Sequence, residues 1–335
     1  MLDIVLLFAS IFFPKIIFYI KACNVLKSNN FLNRYYLNIL DKPDVKLGDS
    51  ICEFKDNEYN EFFEKFKSIL INNWDKDDLK LFFKNMNSLD VLLKSLKIYN
   101  RINKCDAEAT YNVKYNNITI GDLKDVDDSI YHELFHMASS CSEKNKTYSG
   151  FLQVNIFDKI GNEINEGYTD LLANRYFGTE ISYKIESPLV RMVEKVVGRE
   201  KMELLYLNAD LKGLYNELLK YSTEKQTINF INNMDTIKEA TKNNDNKLLG
   251  ILLKNIIAYL YLINKNKLKN EVDNNIISAD EYIFNLKGIK IDMLALVLIF
   301  KDRNIDTFLT DEIKDIDMDM DKIKKLTNVN IMYFC

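Results

Sequence analysis

Histidine is almost missing from this chain: its 335 residues include two. Proline (three) and glycine (ten) are also scarce. So few obligatory turns argue against a sandwich of many short strands and for a helix-rich body. There is no surplus of positive charge either. Lys and Arg number 45 against 49 Asp and Glu, interspersed along the chain, for a formal net charge of -4. No basic field is available to hold a phosphate backbone, and nucleic acid is not an expected partner. The five cysteines (Cys23, Cys52, Cys105, Cys141, Cys335) are odd in number and contain no CxxC pair. That speaks against a disulfide framework and against a thiolate zinc site, so they read as buried or free thiols.

Long hydrophobic runs are few. Residues 4–20, IVLLFASIFFPKIIFYI, only just reach the length of a membrane span and are interrupted by Pro14 and Lys15. Asp3 stands where a signal peptide carries basic residues, and Lys21 fits a lipoprotein cleavage site poorly. Two readings stay open for this segment: a membrane anchor, and an apolar helix packed on the body. Localisation is accordingly membrane-associated or cytoplasmic. A second run, 248–263, has Lys254 and Asn255 at its centre and reads as a buried core helix.

Residues 57–74 and 89–102 carry apolar side chains at spacings of three and four, as amphipathic helices do. YNVKYNNITI at 111–120 alternates instead and predicts one strand, closed by a Gly-Asp turn. Residues 147–167 hold Gly150, Gly161 and Gly167 and read as an irregular loop or hairpin before a helix. In ESPLVRMVEKVVGRE, Ser187 suits a helix cap, Pro188 the first helical position and Gly198 the residue past the end. The remainder of the chain reads as a helical lobe. DIDMDMDK at 315–322 lacks the sixth-position glycine and the closing glutamate of a calcium loop, and reads as a solvated charged face. The expected class is α+β, mostly α.

Both histidines lie in YHELFHMASS. With about 100° per residue from Asp127, the side chains of Ile130, Leu134, Met137, Ala138 and Cys141 form one stripe, and His132 and His136 fall opposite. Asp127 or Asp128 suits the cap. Two imidazoles four apart can close on one tetrahedral ion, and Glu133 points beside it, within reach of a water. On a helix over 164–177, Glu166 and Asp170 share one side while Ile164, Tyr168 and Leu171 lie roughly opposite. This suits Glu166 as an ion ligand and Asp170 as the acceptor that holds a ligating histidine in its tautomer. Either helix alone would pass for an ordinary polar face; together they point to one metal site.

His132-Glu133-x-x-His136 followed by Asn165-Glu166-Gly167-x-x-Asp170 resembles the gluzincin clan of zinc metallopeptidases. The INE…D form is similar to thermolysin-like proteases and NEGY to the NEGF of zinc aminopeptidases. The closer overall likeness, through SGF…IGNEINEGYTDLLANRYF and VVGREKMELLYLNADL, is with small bacterial gluzincin-like proteins. It covers roughly residues 111–211 and implies one Zn2+ held by His132, His136 and Glu166, with Glu133 as general base and Asp170 behind the ligands. It further implies a zincin-like core with a small sheet, whose edge strand at 111–120 precedes the histidine helix and can pair an extended peptide. The organisation expected is then an apolar segment (1–22), a helical region (23–110), a metallopeptidase core (111–185) and a helical lobe (186–335).

Two departures matter. The 29 residues between His136 and Glu166 exceed the spacing of the two best-known branches, and that loop would border the cleft and shape specificity. No third histidine remains to stabilise an oxyanion, so a tyrosine or Arg175 has to serve, and the helix reading turns Tyr168 away from the metal. The glycine-rich motif of the aminopeptidase branch is absent, which leans toward an endopeptidase acting on peptides or proteins. The alternative is a non-catalytic zinc-binding interaction module. An accidental HExxH in a membrane-attached scaffold would require two motifs to coincide by chance.

Overall fold

A computed structural model of the chain describes residues 60–93, 109–120, 127–143, 146–155, 159–301 and 305. The segments at 4–20 and 315–322, and every cysteine except Cys141, lie outside the described residues.

Helices α1 (Asn60–Asn73) and α2 (Lys80–Met86) open the described part and bury Phe63, Phe66, Phe82 and Phe83. Strand β1 (Asp90–Leu93) comes next, where a helix was expected from residue 89. Its apolar run Val91-Leu92-Leu93 has no period that separates strand from helix, and parallel pairing with β3 decides for the strand. The alternating stretch 111–120 is likewise two strands, not one. β2 (Ala109–Asn112) and β3 (Asn117–Ile120) form an antiparallel hairpin with Tyr111 opposite Ile118. The chain reverses at Asn116, which adopts a left-handed φ of 49° that asparagine tolerates better than most residues. Its amide is held by Asn85 O (2.8 Å) and Ser88 Oγ (2.9 Å). Among the described residues the sheet order β1-β3-β2 leaves β2 as an edge strand, of four residues where a strand over 111–120 was expected.

Helix α3 (Asp127–Ala138) carries both histidines. The glycine-containing stretch after it is more regular than expected: β4 (Ser140–Glu143), β5 (Lys146–Ser149), β6 (Leu152–Val154) and β7 (Lys159–Ile160) form an antiparallel meander. Helix α4 (Asn162–Phe177) runs between Gly161 (φ 80°) and Gly178 (φ 74°), both in the left-handed region. Six more helices complete the described chain: α5 (Glu186–Val197), α6 (Arg199–Leu207), α7 (Leu211–Leu219), α8 (Glu224–Lys242), α9 (Asn246–Asp273) and α10 (Ala279–Lys301). Gly198 ends α5 as expected, but that helix begins at Glu186, so Ser187 is not its cap.

The described residues are mostly helical with two small sheets, as an α+β, mostly α chain should be. One continuous core runs from Phe63 in α1 through α3 and α4 to Phe300 and Ile305. Phe66 meets Phe135 edge-on at 5.0 Å, which seats α1 on the histidine helix. On the other side α5 and α8 pack against α4. Helix α9 is long and apolar enough to cross a membrane by length and composition. It nevertheless buries Leu253, Ile256, Leu260 and Ile263 inside the fold, in keeping with a core helix.

Candidate metal centre

The rotation of α3 is set by Ile130, Leu134, Met137 and Ala138, each at most 1% exposed, which press into the core. Asn85 on α2 fixes the end of the helix, donating to Met137 O (2.7 Å) and Ser140 O (2.5 Å). His132 and His136 therefore emerge on the other side, as the stripe required. That side does not face solvent. It meets α4, and both histidines are only 8% exposed. Helix α4 is buried nearly all round: Ile164, Tyr168 and Leu172 enter the core while Asn165, Glu166 and Asp170 turn to α3. Two polar helix faces thus cover each other, an arrangement that is costly unless their groups are paired or hydrogen-bonded.

Three atoms converge there. His132 Nε2 lies 3.0 Å from His136 Nε2 and 3.2 Å from Glu166 Oε2, and His136 Nε2 lies 3.3 Å from the same oxygen. Zinc–nitrogen and zinc–oxygen bonds of about 2.0–2.2 Å in a tetrahedron place ligand atoms about 3.3 Å apart, so the triad has the dimensions of one face of a zinc site. The donor chemistry fits as well, since two imidazole nitrogens and a carboxylate are ordinary zinc ligands. Burial disfavours charge on His132, but Asp170, Glu166 and Glu133 outweigh it and hold the imidazole up at about 10. Burial also opposes charge on Glu166, yet the two histidines keep its carboxyl well below the usual range.

The groups behind the triad keep the rings in place. Asp170 Oδ1 lies 3.8 Å from His132 Nδ1, an electrostatic contact longer than a hydrogen bond. Its Oδ2 accepts from the Tyr183 N–H (2.9 Å) and the Ser187 hydroxyl (3.0 Å). The serine expected to cap α5 thus helps orient Asp170. On His136, Nδ1 is flanked by the Asn165 amide (3.3 Å) and Ser149 Oγ (3.5 Å), and Asn165 Oδ1 accepts the Phe151 N–H (3.0 Å). Glu133 Oε2 accepts the backbone N–H of Tyr111, in edge strand β2, at 2.7 Å. Burial and neighbouring Glu166 raise the Glu133 carboxyl, against the lowering by both histidines and this N–H. A carboxylate raised in this way is a better proton acceptor than an ordinary glutamate.

Tyr183, which sequence reasoning missed, lies in the link between α4 and α5. Its ring stacks on His132, with centroids 5.4 Å apart and planes 14° from parallel. Burial, then the charge of Glu166, raises its phenol far above the usual range, so the O–H stays protonated beside the triad. Nothing in its sequence context marks it, for the chain holds 19 tyrosines. Tyr168 and Arg175 are the two residues that the sequence offered or weighed as an oxyanion group. Tyr168 is fully buried in the core, as its helix position required. Arg175 is held by Glu194 (2.6 and 2.9 Å) and Glu203 (2.7 Å).

No protein-family model, curated protein or solved structure matches the chain.

Proposed function

We propose that this chain is a zinc-dependent metallopeptidase of gluzincin type, with a zincin-like core formed by β1–β3, α3 and α4. The observation that carries the reading is the convergence of His132, His136 and Glu166 within 3.3 Å of one another, with Glu133 one residue from the first ligand. Zinc, when bound, supplies Lewis acidity and lowers the pKa of water. Glu133 removes the proton from the attacking water and returns it to the leaving amine. The Tyr183 phenol donates to the oxygen on which charge develops, the part a histidine plays in thermolysin-like enzymes. Strand β2, an edge strand among the described residues that lies beside Glu133, would pair an extended substrate, which favours an endopeptidase.

Glu133→Gln should keep stoichiometric zinc by atomic absorption and lose at least about 10²-fold in hydrolysis of any peptide the parent cleaves. His132→Ala should lose both metal and activity. Hydrolysis that survives Glu133→Gln contradicts the assignment. A second reading, a non-catalytic zinc module, is favoured by how enclosed the ligands are: the side chains of His132, His136 and Glu166 are 10%, 10% and 16% exposed. X-ray absorption on the zinc-loaded protein separates the two, since a fourth ligand from protein supports the module and a fourth from water supports the enzyme.

A further inference from the structure

The helix that carries Glu166 begins without a cap of its own. Gly161 occupies the capping position at φ 80°, and a Cβ there would lie 2.1 Å from the Phe151 carbonyl oxygen. Serine, threonine, aspartate and asparagine, the residues that ordinarily cap a helix, are therefore sterically excluded. The first-turn N–H groups still need acceptors, and water is kept out: Asn162 is 5% and Glu163 2% exposed. Their partner comes from α8. Asp235 Oδ2 accepts the Gly161 N–H at 2.7 Å and Oδ1 the Glu163 N–H at 3.3 Å, and the Asn162 N–H adds to the pair. Burial, with the charge of Glu163, raises the Asp235 carboxyl to about 7 against the lowering by these three N–H groups, and the positive end of the helix dipole favours its charged form.

This turn sits directly before the metal ligands. Gly161 O accepts the Asn165 N–H at 2.9 Å, so the turn that Asp235 fastens sets where Asn165 stands beside His136 and where Glu166 begins its reach to the triad. We propose that Asp235 is a positioning residue of the metal centre: from α8 it fixes the first turn of α4 and so sets metal affinity, although it lies outside the ligand set. The inference rests on the metal reading of the site and does not require that the protein hydrolyse peptides. It ties the helical lobe to the metal, and by thermodynamic reciprocity metal binding should in turn protect the amides of residues 161–163.

The test compares the full-length parent with Asp235→Ala, Asp235→Asn and Asp245→Ala. Asp245 caps α9 through the Leu248 N–H (2.9 Å), so its loss reports the general cost of removing a cap. Zinc affinity is measured by chelator competition, site geometry from the absorption bands of the cobalt-substituted protein, and the turn itself by amide hydrogen exchange over 159–166. Asp235→Ala should bind zinc at least about tenfold more weakly, shift the cobalt bands and lose protection at 161–163. Asp235→Asn, which keeps one acceptor oxygen, should fall between, and Asp245→Ala should keep parental affinity and cobalt bands. Parental affinity and bands in Asp235→Ala would overturn the proposal, and if that variant does not fold, the same result in Asp235→Asn would overturn it. Should the parent take up no metal, the metal reading fails by itself; exchange at 161–163 that is unchanged in the variants then refutes the clamp separately.

Discussion

At Tyr183 the phenol oxygen is the only part of the side chain given a chemical task, since the ring is held by stacking on His132. The phenol also donates to Glu166, so Tyr183→Phe should keep circular dichroism unchanged, weaken zinc binding no more than modestly and, at saturating zinc, lower kcat by about 10²-fold, the usual effect of losing one oxyanion donor. An unchanged kcat would remove Tyr183 from the reaction. Gly150 supports the site sterically: it sits at φ 52°, and a Cβ there would lie 2.2 Å from the Tyr206 ring and 2.3 Å from Asn165 Oδ1. Gly150→Ala should cost about 2 kcal/mol or more in chemical denaturation, from backbone strain and the displaced neighbours. Single residues were unequally legible. Two histidines in the whole chain attract notice and led to the candidate site, whereas Tyr183 is hidden among 19 tyrosines and comes beside His132 only through the way the link between α4 and α5 turns back.

Among the elements, α5 couples stability to pH. Glu186 begins this helix against α4, where Gly167 lets the two helices approach: a Cβ on Gly167 would lie 2.8 Å from the Glu186 backbone. Burial pushes the Glu186 carboxyl up from 4.5 to about 7, helped by Glu163 and opposed by nearby backbone N–H groups. Between these values the folded chain holds a proton that the unfolded chain has shed, so stability falls as pH rises through the window, by about 1.4 kcal/mol per unit. Glu186→Gln should thus exceed the parent by up to about 3 kcal/mol at pH 8 and match it near pH 4.5. Urea unfolding with chelator present checks this; an equal difference at both pH values would contradict it. Elements were legible where a period was long enough. Helices α3 and α4 followed from theirs, but β1 was hidden in a short apolar run, and one alternating stretch concealed the Asn116 reversal that makes it two strands.

Among the described residues, the larger core cluster joins the helices of the His132/His136/Glu166 group to the C-terminal helices, so the candidate metal centre is not an independent unit of packing. The relation of His132 to His136, and of Glu166 to Asp170, is local and can be read from helical spacing. That the two helices meet was an inference from chemistry, and the structure places their ligand atoms 3.0–3.3 Å apart. Asp235 lies 74 residues beyond Gly161, and no spacing rule foretells that contact, because only the packing of α8 on α4 creates it. Arg175 shows the reverse: a cation near the motif in sequence is claimed by Glu194 and Glu203 across the fold. Chemistry at the triad is read out by a peptide-library digest with added zinc, run beside Glu133→Gln. The parent should cleave internal bonds in a way that chelator abolishes, and the variant should cleave none while still holding zinc. A parent that binds zinc and cleaves nothing, or a variant that cleaves as the parent does, would contradict it.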